Sequence, residues 1–194
     1  RPSNAKEWNV KLSIVEKAKE YEASAPAVEP LYVLKFGSSV LRSAIDLPVV
    51  AGEIYRQRRA GRRIVAVVWG LAGEADRPFA EAASLSGATD CAGVADLVSL
   101  GEERTAALLR IACDRIGLPA SICRPAALGL YTNGDALQAH PIPLAPEALR
   151  VALDKTGLVI VPGFVGVGAE GTRTLLGRGG AHFSAVFLRW GRGA

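Results

Sequence analysis

The chain contains no methionine, not even at position 1, which points to a piece cut from a longer polypeptide or to a processed chain. Its cysteines are few and odd in number, Cys91, Cys113 and Cys123, and none forms a C-x-x-C pair. That argues against both a disulfide framework and a structural zinc site, and leaves reduced, mostly buried thiols. No apolar run approaches the roughly 18 to 20 residues a membrane-spanning helix needs, and no signal-peptide pattern opens the chain. These absences fit a cytoplasmic protein with no membrane partner. Aromatic residues are missing from the densest basic run, RQRRAGRR over Arg56 to Arg63. A nucleic-acid surface would interleave aromatic or groove-reading side chains there. The run therefore reads as the solvated end of a helix that leads through Gly61 into the next strand.

What is present is globular. With 194 residues, 49% apolar and 22% charged, the chain can bury a core of its own in one or two domains. The net charge of +4 comes largely from arginine. Residues 5 to 22, AKEWNVKLSIVEKAKEYE, place Trp8, Leu12 and Val15 near helical spacing among lysines and glutamates, the pattern of an amphipathic helix. An Ala/Pro linker, ASAPAVEP, follows it, so residues 1–30 form an appendage to a main domain over 31–194.

The main domain opens with the apolar strand LYVLKF and a Gly-Ser turn. A helical stretch, Asp46 to Arg59, leads to a second buried strand, IVAVVW at 64–69. Strand, helix and strand at this spacing predict a βαβ unit and a parallel sheet covered by helices. Gly93 to Ile116 carries helical spacing for one long helix or two abutting ones. Residues 120–123 suit a further short strand, and Asn133-Gly134 signals a hairpin. Glu147 to Lys155 reads as helix and 158–161, LVIV, as a buried strand. A glycine-rich stretch follows, and a last helix is expected over Phe183 to Trp190. No repeat at the 20 to 50 residue scale marks a solenoid.

Two stretches suit an anion on physical grounds. In LKFGSS a lysine near the end of a buried strand precedes small residues whose backbone N–H groups can approach a phosphate. In GRGG, ahead of the expected helix, free N–H groups and the positive end of the helix dipole favour negative charge, and Arg178 can clamp a carboxylate or phosphate.

In this order, with PGFVG between them, these stretches resemble the amino-acid kinase family and in particular its aspartokinases. The matching pieces are VLKFGSSV (33–40), IVAVVWGLAGEAD (64–76), LVSLGEERTAALL (97–109), IVPGFVG (160–166) and TLLGRGGAHFSA (174–185). The resemblance implies a three-layer α/β/α sandwich with a mainly parallel sheet, of which residues 31–194 would be the N-terminal part without the C-terminal nucleotide-binding half. It also implies transfer of the ATP γ-phosphate, with magnesium, to the side-chain carboxylate of aspartate, the first step toward lysine, threonine and methionine. By that likeness Lys35 neutralises the phosphates in the transition state, and Gly37 and Ser38 give backbone donors. Glu102 meets the substrate's amino group, Arg178 its α-carboxylate, and Phe164 lines the pocket. Gly179 and Gly180 let the backbone come close to the ligand. No metal-ligand set is implied within the chain.

The chain also departs from the family pattern. Where aspartokinases carry Ser-Asp after the glycines, this sequence has Ala181-His182. A histidine, with an unperturbed pKa of about 6.5, is mostly neutral and gives no oxygen ligand to magnesium. Ala75 stands for a threonine and Trp69 for a small serine. Asp76 and Gly101 are closer in sequence than aspartokinases place them, and Ala194 comes before the acidic nucleotide loop of the family. The expectation is a degenerate aspartokinase-like domain with a structural, regulatory or oligomerisation role, of the kind fused to homoserine dehydrogenase. The alternative is an active aspartate kinase whose nucleotide lobe lies outside this chain, with His182 taking over a catalytic role. The expected ligand is aspartate or a similar small anion, and Mg-ATP is the cofactor only where the family activity survives. An uncovered sheet edge or apolar face is expected to bring a homo-oligomer or the remainder of a longer polypeptide.

Overall fold

The computed structural model describes residues 30–74, 76–85, 91–142 and 147–176. The expected helices at 5–22 and 183–190 lie outside these residues, as does the GRGG stretch.

Four parallel strands form the central sheet: β1 (Leu31–Phe36), β2 (Arg63–Val68), β3 (Ser121–Ile122) and β6 (Leu158–Pro162), in the spatial order β1-β2-β6-β3. The helices are α1 (Leu47–Arg59), α2 (Arg77–Leu85), α3 (Cys91–Asp114), α4 (Pro125–Leu128) and α5 (Glu147–Thr156). Two short antiparallel hairpins complete the described fold, β4 (Thr132–Asn133) with β5 (His140–Pro141) and β7 (Val165–Val167) with β8 (Arg173–Leu175).

β2 and β6 read as continuous apolar runs because both faces of a parallel sheet are covered. Ile64, Ala66, Val68, Leu158 and Ile160 point to one face, where they join Leu47, Val50, Ala51 and Ile54 of α1 and Ala106, Leu109 and Cys113 of α3. Val65, Val67, Val159 and Val161 point to the other, against Leu128 of α4 and Leu149 and Leu153 of α5. The result is the expected three-layer α/β arrangement. Glycine-rich 157–176 turns the chain from β6 into the β7–β8 hairpin, whose Leu175 packs on Val94, Ala95 and Val98 of α3.

Three strands end level. Phe36 pairs with Val68, and Val68 with Pro162. The next residues, Gly37, Trp69 and Gly163, therefore emerge side by side, with Trp69 N–H donating to Phe36 O at 3.1 Å and Gly163 N–H to Val68 O at 2.7 Å.

The basic run is consumed by the end of α1, as expected. Gly61 turns the chain at φ +76°, Arg62 stacks its guanidinium 4.4 Å from the Tyr32 ring centroid, and Arg63 pairs with Asp154 of α5 at 2.5 Å. The expected one or two helices over 93–116 are a single long helix, α3, which starts at Cys91 and ends at Asp114, with a turn at 115–117. The Asn133-Gly134 signal does mark a hairpin, but the turn is wider than the two-residue kind. Thr132 pairs with Pro141 and Asn133 with His140, and the intervening loop is drawn onto β8 by Ala139 N–H to Leu175 O (2.9 Å) and Leu175 N–H to Ala136 O (2.6 Å). Gly166, Gly168 and Gly171 have the G-x-G-x-x-G spacing of a dinucleotide turn. They lie in the β7–β8 hairpin, however, with no strand-to-helix turn between them to cradle a pyrophosphate. Among the described residues no helix is long and apolar enough to cross a membrane.

Candidate functional site

The level strand ends define the site. Lys35, next to last in β1, sends its Nζ to 4.1 Å from the centroid of the Trp69 ring. Partial burial pulls its pKa below the ordinary 10.5. Gly37 opens the turn after β1, its carbonyl accepting from Val40 and Leu41 N–H at 2.9 Å each, and Ser38 follows it, exposed.

Trp69 covers the strand ends. Its ring is tilted 50° to that of Phe164, with centroids 6.0 Å apart. A Cβ at Gly163 would fall 2.4 Å from Trp69 Cδ1 and 2.9 Å from Val67 Cγ1, so only glycine fits beneath the indole. Trp69 Nε1 is buried with no hydrogen-bond partner among the described residues.

Glu102 projects from α3 into the same place and is only 2% exposed. Its Oε1 accepts from Gly70 N–H at 3.0 Å and its Oε2 from Gly163 N–H at 3.3 Å, so one carboxylate ties the ends of β2 and β6 together. Burial raises its pKa to about 7; the two backbone donors pull the other way, and the charge of Glu74 adds to the rise. Glu74 itself is held by an ion pair with Arg104, and its Oε2 is buried without a partner among the described residues.

A second polar cluster docks the β7–β8 hairpin on α3. Arg173 donates to Ser99 Oγ at 2.8 Å and to Glu103 Oε1 at 3.1 Å, with Asp96 at 3.9 Å. Arg124 completes it by reaching Glu103 Oε2 at 3.3 Å.

Of the residues the sequence singled out, Lys35, Gly37, Glu102 and Phe164 gather around Trp69 and Gly163, and Ser38 sits beside Gly37. Arg178, Gly179, Gly180, Ala181 and His182, and also Ala75, lie outside the described residues. Glu102 spends both oxygens on the backbone, a role the sequence did not reveal, although a glutamate in register with Val98, Thr105, Ala106 and Leu109 on the inward face of α3 signals a buried carboxylate in need of donors. Gly70, Glu74, Gly163 and Arg173 were not singled out at all. Among the described residues no group of His, Cys, Asp and Glu is placed to hold a metal ion.

Chemically, the strand ends combine a partly desolvated ammonium, a carboxyl that titrates near neutrality and an aromatic wall. This arrangement, on a parallel sheet with helices on both faces, suits a small polar ligand at the carboxyl ends of the strands. The chain belongs to the amino acid kinase family, whose model matches residues 30–188. Within that family its similarity runs to aspartokinases. It is 31% identical over 160 residues to the aspartate kinase of Pseudomonas fluorescens, covering 81% of this chain and 39% of that protein. With the aspartokinase of Corynebacterium efficiens it shares 32% over 166 residues, or 84% of this chain and 39% of that one. Escherichia coli aspartokinase III, solved in complex with aspartate and ADP, superposes with a TM-score of 0.63 at 21% identity, over 84% of this chain and 47% of that chain. The aspartate kinase from Synechocystis gives a TM-score of 0.63 at 27% identity, over 82% and 26%. The chain thus spans about two fifths of the length of the curated relatives it matches.

Proposed function

We propose that this aspartokinase-like domain binds a small amino-carboxylate such as aspartate but does not transfer phosphate, and that it serves a structural or regulatory role in the aspartate pathway. One observation carries the reading: the Trp69 indole lies across the strand ends, stacked on Gly163 and faced by the Lys35 ammonium. Phosphoryl transfer depends almost entirely on placing positive charge and backbone donors against the moving phosphoryl group. Here an aromatic ring fills that approach and engages the lysine instead. Ala181 and His182 in place of the family's Ser-Asp support the same reading from the sequence. Its extension to a bifunctional aspartokinase/homoserine dehydrogenase-type protein rests on the family resemblance.

The purified chain given aspartate and Mg-ATP is expected to yield no aspartyl phosphate trapped as hydroxamate, while calorimetry detects weak aspartate binding. Hydroxamate from the unmodified chain would overturn the proposal. The competing reading, an active aspartate kinase whose nucleotide lobe lies outside this chain, draws on the convergence of Lys35, Gly37, Glu102 and Phe164 at the strand ends, and aspartyl phosphate formed from Mg-ATP by a longer polypeptide that carries this domain would favour it.

A further inference from the structure

Two buried side-chain atoms at the strand ends have no hydrogen-bond partner among the described residues, and they are of opposite kind. Trp69 Nε1 can only donate, and Glu74 Oε2, on an ionised carboxylate, can only accept. Unpaired buried polar atoms are costly, and each calls for an explanation. Local structure sets both beside Glu102. Glu74 closes a turn, its N–H donating to Leu71 O at 2.9 Å, and Gly73 at φ +84° takes the left-handed position that such a turn favours. Ala72 N–H to Leu41 O, also 2.9 Å, ties this turn to the loop after β1. The Glu74 carboxylate then lies along α3 at Gly101, where a Cβ would sit 3.7 Å from Oε2. Its other oxygen is held by Arg104, so the group is fixed, and its charge is near enough to raise the pKa of Glu102. Glu74 thus flanks Glu102 on the Gly70 side. Trp69 Nε1 flanks it on the Gly163 side, 2.7 Å from where a Cβ of Gly163 would fall. Glu102 itself already accepts one backbone N–H on each oxygen.

We propose that these two atoms read the two charged ends of an α-amino acid: Glu74 Oε2 accepts from its ammonium, and Trp69 Nε1 donates to a carboxylate. The assignment builds on the amino-carboxylate reading of the site. It moves recognition of the amino group from Glu102, where the family likeness puts it, to Glu74. Charge selects the ammonium. Arg104 meets one oxygen of Glu74, and the second oxygen, next to another carboxyl, favours a cationic donor over a neutral one. The indole N–H is a single fixed donor, suited to one carboxylate oxygen. One ring then has two tasks: its face takes the Lys35 ammonium, and its N–H edge takes the ligand. A dicarboxylate without the ammonium, such as succinate, leaves Glu74 Oε2 unpaired. Sites built to bond a ligand N–H discriminate strongly against analogues that lack it.

Calorimetry on the whole chain with aspartate, succinate and glycinamide tests the assignment. The wild type is expected to bind aspartate at least about 10-fold tighter than succinate. Glu74→Gln should remove that preference by weakening aspartate alone, with the circular dichroism spectrum unchanged. Trp69→Phe keeps an aromatic ring but no N–H donor, so it should weaken aspartate and succinate alike and leave the preference intact. If Glu74→Gln misfolds, the wild-type preference and the Trp69→Phe variant decide. Equal affinities for aspartate and succinate in the wild type, a preference that survives Glu74→Gln, or affinities that Trp69→Phe leaves unchanged would overturn the assignment, with the aspartate-binding reading still standing. If neither dicarboxylate binds, that reading fails on its own, and glycinamide, an ammonium without a carboxylate, judges Glu74. Glycinamide binding that Glu74→Gln abolishes upholds it, and any other result overturns it.

Discussion

The Nζ of Lys35 lies 4.1 Å from the centre of the Trp69 ring, so the cation next to last in β1 rests on the aromatic face that follows β2. Such a contact is worth roughly 0.5 to 2 kcal/mol, more as it loses water. Replacing Trp69 with serine removes both the partner of the lysine and the cover over Gly163. Calorimetry with tripolyphosphate or ADP should then show at least a roughly 10-fold gain in affinity, equal to about 1.4 kcal/mol of released cation. An unchanged affinity would mean that the indole does not obstruct anions.

Gly163 and Trp69 form a pair of a different kind. A Cβ at position 163 would meet the indole at 2.4 Å and Val67 at 2.9 Å. Gly163→Ala should therefore destabilise the domain by about 1 to 3 kcal/mol, the usual cost of overpacking. Most of that loss should vanish in a Trp69→Ser background, because the ring is the nearer obstacle. Denaturant midpoints for the four proteins of the double-mutant cycle check this, and additive losses would contradict the contact.

Glu102 sets a pH dependence. Its carboxyl titrates at about 7 in the fold, raised chiefly by burial above an ordinary 4.5. Below pH 4.5 the folded and unfolded chains both hold the proton, and the group's stabilising contribution is fully present. As pH rises toward 7 and beyond, the unfolded chain ionises freely while the fold must charge a buried site, and that contribution is lost. Relative to Glu102→Gln, the wild type should lose on the order of 2 to 3 kcal/mol between pH 4.5 and pH 8. The glutamine's poorer capping of Gly70 and Gly163 is an offset independent of pH, so the slope isolates the titration. A parallel pair of stability curves would show that Glu102 ionises normally.

Much of this architecture is legible in the sequence, and for a physical reason. β2 and β6 lie inside a covered parallel sheet, so their apolar runs stand out, and Gly61 marks the end of α1 because its φ of +76° favours glycine. The site is only half legible. Trp69 can be seen to depart from the family pattern, but its contact with Lys35 depends on β1 and β2 ending level, which follows from register and not from either segment alone. The donors of Glu102 are backbone N–H groups, which carry no side-chain signature. Arg173 and Glu103 lie far apart in the chain, and nothing local to either names the other.

Arg173 lies in β8, the strand that leads toward the GRGG stretch, and its guanidinium reaches across to α3 at 2.8 Å from Ser99 Oγ and 3.1 Å from Glu103 Oε1. Removing it leaves Glu103 with Arg124 alone and frees the hairpin from its polar anchor, while Leu175 still packs on Val94, Ala95 and Val98. The side chain is about a third exposed, so solvent screens the ion pair, and Arg173→Ala should cost only about 1 kcal/mol overall. The loss should be local. Amides of Val165, Val167 and Leu175 are expected to exchange about 5- to 10-fold faster, with those of β2 and β6 unchanged. Lysine should not restore protection, because a single ammonium cannot span the serine and the carboxylate as the planar fork does. Full rescue by Arg173→Lys, or no change in hairpin exchange in the alanine variant, would show that apolar packing alone holds β8 against α3.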